Sequence, residues 1–378
     1  MSNPIPAEKD KSHEARAGFS PHSVRLAWIL ALAYLLVIVH ASLQPYRGWR
    51  VPPDEILRFL AAPWPRYITL WDIFVNLVAY VPLGFLLSIG CGARHGTGPG
   101  VIIAAVCAVA LSLTMESAQM FLPARIASNV DLLANSLGAL IGAMAAPLFA
   151  PTRILGGKLH AARHRLFVEG VAADVALVIV CLWLVTQFHP TAQLFGTGGV
   201  RATFELPAYF VHTPQLALSG EAAVVLLNLV GVGLMMSAFM RGAPRPMLAI
   251  GAVVGTALLI KVVAAAALIK AAPFAWLTPG VSFGLLAGWV LLHGAIRLPQ
   301  PVQLGLAALS IVLATAAINL APGNPYQSVP PHLIAGGASH FLSFSGIVRA
   351  LSELWPLLAA GFLAVALGAR SAGTKREK

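Results

Sequence analysis

Charged side chains are scarce in this sequence, and acidic ones scarcest: 14 Asp and Glu stand against 25 Lys and Arg among 378 residues. A water-soluble domain carries roughly 25% charged residues, whereas here they make up 10% and apolar residues 58%. That deficit excludes a chain folded around an ordinary water-facing surface. Strict alternation of apolar and polar residues is also missing, so helices fit better than the strands of a membrane barrel. Cysteine is nearly absent. Cys91, Cys107 and Cys181 are odd in number, lie in or beside apolar runs and show no CxxC spacing, which indicates neither a disulfide framework nor a metal site. There is no HExxH and no Walker motif, and no cofactor is expected.

What is present is a series of apolar runs of about 20 residues, long enough to cross a hydrocarbon layer of roughly 30 Å as helices. Ten spans are expected, near 24–43, 70–90, 99–121, 130–150, 169–188, 221–240, 247–270, 276–297, 301–320 and 351–370. Nine remain an alternative, because the connections around 276–297 are short. The first run is too long for the core of a cleaved signal peptide and reads as a retained helix. The fold class is therefore all-α, a polytopic transmembrane helical bundle.

A net charge of +11 raises the question of nucleic acid. The basic residues, however, sit in short segments between apolar runs and at the C-terminus, as topology signals do. With the N-terminus inside, sixteen Lys and Arg fall in inside segments and eight outside; Lys261, within a span, completes the 25. Both termini are then expected in the cytoplasm. The longer outer connections, 44–69, 189–220 and 321–350, carry Pro and aromatics such as Trp49, Trp64, Tyr67, Tyr209 and Phe341. A short surface helix is expected at 54–62, with Ile56, Leu57 and Leu60 facing lipid. The organisation expected is a tail at 1–23, four helices at 24–150, a basic cytoplasmic loop at 151–168, six helices at 169–370 and a basic tail at 371–378.

Polar side chains within a span cost about 2.5–3.5 kcal/mol on insertion scales, and usually face a bundle interior or a wet cavity. The first four helices concentrate them. Asp72 and Asn76 lie four apart on one face of the second span, Glu116 and Gln119 three apart near the end of the third, and Asp131 and Asn135 four apart at the start of the fourth. Arg125 lies in the hairpin between the last two. Gly138 and Gly142 follow as a small-xxx-small face suited to close helix contact. In the orientation above, all three pairs fall within roughly 10 Å of the outer helix ends, at 1.5 Å per residue.

Taken together, D-x-x-x-N-x-x-x-x-x-P-x-G across Asp72, Asn76, Pro82 and Gly84, E-x-x-Q at Glu116 and Gln119, Arg125, and D-x-x-x-N-x-x-G-x-x-x-G across Asp131, Asn135, Gly138 and Gly142 resemble the VanZ-like family. The resemblance covers about residues 24–150. Asn324-Pro325-Tyr326, His340-Phe341 and Leu354-Trp355-Pro356 are similar to the tails of longer bacterial members. The resemblance implies a multi-pass protein of the bacterial cytoplasmic (inner) membrane, within the cell envelope. The family's namesake is associated with resistance to the antibiotic teicoplanin, a glycopeptide with a lipid tail.

Three readings of the polar residues stay open. As helix glue, the amides bond across helices and Arg125 neutralises a carboxylate, in a non-catalytic scaffold. As a ligand site at the outer leaflet, Arg125 holds a phosphate or carboxylate, with Asp72, Asn76, Glu116, Gln119, Asp131 and Asn135 around it. The partners are then membrane lipids or a lipid-linked or lipid-tailed envelope molecule. As a catalytic pair, Glu116 and Asp131 occupy unlike environments and divide acid and base roles, although no nucleophile or metal signature accompanies them. A fourth reading makes the chain an ion- or proton-coupled transporter, with Lys261 in mid-span joining the carboxylates. Asp174, near the inside face, is a weaker candidate for pairing, and His340, in an outer loop beside aromatics, reads mainly as a solvated residue.

Overall fold

The computed structural model describes residues 19, 21–43, 48–52, 55–64, 70–123, 125–188, 193–201, 213–241, 246–268, 273–320 and 338–376, as backbone only at 21–22, 70–72, 267–268, 338–347, 350 and 370–376. Among these, all regular structure is helical, and the single extended pairing is an isolated antiparallel bridge between Phe167 and Met240. The helices are α1 (Pro21–Leu43), α2 (Leu70–His95), α3 (Thr97–Gln119), α4 (Asn129–Ala145), α5 (Ile154–Leu166), α6 (Val171–Thr186), α7 (Pro214–Ala238), α8 (Pro246–Leu268), α9 (Pro279–Ala295), α10 (Gln300–Leu320) and α11 (Ala338–Arg376). Eight are long and apolar enough to cross a membrane, and α6 and α9 are shorter apolar helices. Each of the ten expected runs is thus a helix. The protein is a multi-pass helical membrane protein.

Three details differ from the reading of the sequence. The basic connection after α4 carries a helix of its own, α5. The surface helix expected at 54–62 is a 3-10 turn, Arg58–Ala61, with Ile56, Leu57 and Leu60 exposed around it. Helix α7 begins at Pro214, not near 221: Thr213 caps it by accepting from the Leu216 N–H, and Pro214 fills the first turn, where no N–H is needed. Tyr67, Tyr209, Phe210 and Asn324-Pro325-Tyr326 lie outside the described residues, as do the side chains of His340, Phe341 and Phe344.

The chain divides into two compact units, Met1–Arg163 with Ala338–Ile347, and His164–Gly337 with Val348–Lys378. In the first, α2 and α4 touch backbone to backbone. A Cβ added at Gly138 would lie 1.9 Å from the Leu77 carbonyl oxygen, and one at Gly142 2.0 Å from that of Val81. Gly84 of α2 meets the Ala139 carbonyl oxygen in the same way, at 1.9 Å. Lipid tails are as apolar as Leu, so close packing of this kind, more than apolar burial, drives helix association. The Ser88 hydroxyl donates to the Ala143 carbonyl further along the seam. Helix α1 joins through Tyr34, whose hydroxyl donates to the Ala79 carbonyl. Large apolar side chains point outward from α1 and α3, among them Leu32, Leu36, Ile102 and Val106, where lipid would solvate them.

In the second unit α7 is central, buried along nearly its whole length from Val224 to Met236. Gly280, Gly284 and Gly288 of α9 lie against its backbone and side chains. Trp355 of α11, fully buried, donates its indole N–H to the Ile179 carbonyl of α6 at 2.8 Å.

Candidate functional site

The ends of α1, α3 and α4 meet at one end of the first unit, and the hairpin between α3 and α4 closes over them. Ser128 is the N-cap of α4: its hydroxyl accepts from the N–H groups of Val130 and Asp131 at 3.2 and 3.4 Å. In a capping box the acid three residues on, here Asp131, reaches back to the cap's own N–H. That N–H donates instead to Glu116 Oε2 at 2.9 Å, across from α3. Glu116 is 3% exposed. Its carboxylate therefore sits at the N-terminal end of α4, where the helix dipole favours negative charge.

Arg125 and Gln119 do the complementary work at α1. The Arg125 guanidinium donates to the Ala41 carbonyl at 2.8 Å, and the Gln119 amide to that of Ser42 at 3.3 Å. Both carbonyls belong to the last turn of α1, whose partial negative charge favours a cation. Arg125 is only half-buried. Burial pulls its ionisation below the ordinary guanidinium range and the Glu116 charge opposes the shift, yet a guanidinium stays cationic. Glu116, Asp131 and Arg125 share one electrostatic neighbourhood.

One layer deeper, the Asn135 amide donates to the Ser112 hydroxyl at 2.9 Å, which leaves Asn135 Oδ1 buried without a partner. The Tyr80 hydroxyl lies beside Ser112 and Glu116, also buried, with no partner in hydrogen-bonding geometry. Two unmet buried polar atoms within one cluster cost on the order of 1–3 kcal/mol each. Of the residues singled out in the sequence, the structure thus brings Glu116, Gln119, Arg125, Asp131 and Asn135 to one end of the unit. Asn76 is half-buried on α2, and the side chain of Asp72 lies outside the described residues. Tyr80 is an addition. Its place on the Asp72–Asn76 face of α2 was legible, its neighbours were not.

The second unit holds a polar group that the apolar window hid. Glu221 of α7, 3% exposed, accepts from the Thr278 hydroxyl at 2.6 Å. Gly280 leaves room for it, since a Cβ there would come within 2.9 Å of Glu221 Oε2. The Thr213-Pro214 start, overlooked in the sequence, is the signal that would have placed Glu221 two turns inside a helix. Lys261 is 1% exposed, on the inward stripe Ile250, Val254, Ala257, Lys261 and Ala264 of α8. It does not snorkel to the surface of the unit.

Comparison with known families finds that residues 26–150 match the family model described as VanZ/LLP1. No curated protein and no solved structure matches the chain.

Proposed function

We propose that this chain, whose residues 26–150 form a VanZ-like domain, binds a polar or anionic head group through that domain, on a lipid or lipid-tailed envelope molecule at the outer leaflet of a bacterial inner membrane. The observation that carries the reading is the set of buried polar atoms left without partners, Tyr80 Oη and Asn135 Oδ1, in the same cluster as Glu116, which in turn neighbours the half-buried Arg125. Helix glue alone would pair them, because an unmet polar atom in hydrocarbon is costly. A guanidinium is the group whose planar fork suits a phosphate or carboxylate, while Asn135 Oδ1 accepts from a hydroxyl or amide. The outer leaflet follows from the excess of Lys and Arg in the other connections, with both termini in the cytoplasm. The unpartnered acceptors in the cluster favour a binding site, and no nucleophile signature in the sequence supports catalysis. Resistance to a lipid-tailed antibiotic is the phenotype that such binding would produce.

The test is the lipid that co-purifies with full-length protein. Arg125→Ala, at equal abundance, should strip one head-group class from the retained lipid. An unchanged lipid profile together with lowered thermal stability would leave Arg125 as a pin for α1, in a membrane scaffold.

A second reading attaches to the second unit. Glu221 lies seven residues from the start of α7 and Lys261 seven from the end of α8. These are consecutive antiparallel helices, so both groups sit at one depth, about 10 Å from the same end. Two buried ionisable groups at one level mark ion and proton routes. Reconstituted protein should then move protons across a pH-dye vesicle under a membrane potential, and Glu221→Gln and Lys261→Met should each abolish it. No wild-type flux above empty vesicles would remove the reading.

A further inference from the structure

At one end of the second unit, where α6, α8 and α10 begin and α7 and α9 finish, lies a cleft of about 520 Å³. That is within the range of small-ligand sites. Its walls are apolar and aromatic, among them Ala172, Phe239, Met240 and Ile296, and its polar lining includes Glu169, Gln300 and Gln303. Among the described residues no Lys, Arg or His lines it.

Gln303 is the telling residue. It is 6% exposed, and its amide nitrogen donates to the carbonyls of Ile296 and Leu298 at 2.9 and 2.8 Å. Those bonds fix the amide's orientation, because turning it over would set Oε1 against two carbonyl oxygens. Oε1 is therefore held as an acceptor, and it has no partner. Gln300, in the same lining, spends its amide nitrogen on the Ala238 carbonyl. Glu169 supplies the second acceptor. His164 and Arg241 both bind it through Oε1, at 2.9 and 2.8 Å, and these bonds hold the carboxyl below its usual range, the His164 bond first. Its Oε2 remains for a ligand. Phe239 adds an aromatic wall of the kind that attracts cations.

We infer that this cleft binds a primary ammonium group, its N–H donors directed to Gln303 Oε1 and Glu169 Oε2 and its charge beside Phe239. Two acceptors and an aromatic ring match a positively charged donor. The carrier of that group is either an aminophospholipid, since the cleft lies at helix-end depth and has apolar walls, or a small free amine such as ethanolamine.

Phosphatidylcholine is the natural control, because its quaternary ammonium carries the same charge without any N–H. Full-length protein in nanodiscs of equal phosphatidylethanolamine and phosphatidylcholine is analysed for bound lipid by native mass spectrometry, with ethanolamine titrated separately. Retention of the ethanolamine lipid should exceed that of the choline lipid by about tenfold, the effect of one charge-assisted hydrogen bond. Gln303→Leu should abolish the preference. Because that change also strips two backbone carbonyls of a donor, Ala172→Phe serves as a second variant: it fills the cleft from an exposed position and leaves Gln303 in place. It should abolish the preference with folding intact. Saturable binding of ethanolamine without lipid preference, again lost in Ala172→Phe, would assign the site to the free amine. Equal retention of both lipids with no ethanolamine binding would overturn the inference, as would a preference that survives Ala172→Phe.

Discussion

Glu116 occupies the place of a capping acid while belonging to a different helix from the one it caps. Removing its acceptor should therefore cost stability even if no ligand is ever bound. Glu116→Leu strands the buried Ser128 N–H and is expected to cost about 1–3 kcal/mol. Glu116→Gln keeps an oxygen in place and should cost distinctly less. Thermal melts of the purified protein in one detergent rank the two, and equal losses would mean that Glu116 does not cap α4. Glu169 gives the pH counterpart. Its folded carboxyl lies below the ordinary range, so the stabilisation is present above the unfolded value and is lost as pH falls through the folded one. The link between Glu169 and Arg241 should loosen in acid, seen as faster hydrogen exchange at the Arg241 N–H, which donates to the Leu166 carbonyl. Exchange that ignores pH in that window, after correction for intrinsic rate, would count against it. The identities of Glu116, Gln119, Asp131 and Asn135 were legible in the sequence because each breaks an apolar run, and that of Arg125 because it stands in the hairpin between two of them. Their bonds were not. Nothing in the order of residues says that Arg125 reaches the Ala41 carbonyl, 84 positions away.

Helices were the most legible feature, because each apolar run is long and bounded. Their ends followed local chemistry that an apolar window overlooks, as Thr213 and Pro214 show for α7. The seam between α2 and α4 was half legible: the glycine spacing on α4 announced a close contact, while its partner had to come from the fold. Gly84, Gly138 and Gly142 each lie against backbone, which cannot swing aside as the end of a side chain can. Gly138→Val or Gly84→Val should leave little folded protein in fluorescence-detected size exclusion. Gly92→Ala, where nothing lies within 4 Å of the added Cβ, should be tolerated, with a helix-propensity gain of up to about 1 kcal/mol. Tolerance at Gly138 would show that the helices do not touch there.

For the molecule as a whole, charge asymmetry carries the orientation. In a background with all three cysteines replaced, Ile126→Cys in the α3–α4 hairpin should react with a membrane-impermeant thiol reagent on intact spheroplasts. Leu155→Cys in α5 should react only after permeabilisation. The reverse pattern would turn the proposed site to the cytoplasm. That the rear unit has polar clusters of its own was not legible, since Glu221 and Gln303 each stand alone in sequence and acquire meaning only through Thr278, Ile296 and Leu298. The central claim concerns the front unit, and a photocrosslinker at Ile126 tests it most directly. This residue is 80% exposed and adjoins Arg125, and Ile102, 66% exposed on α3, serves as the lipid-facing control. In native membranes the lipids captured at position 126 should be enriched in one polar head-group class relative to position 102, and Arg125→Ala should erase the difference. The same head-group distribution at both positions would contradict a head-group site in the VanZ-like domain.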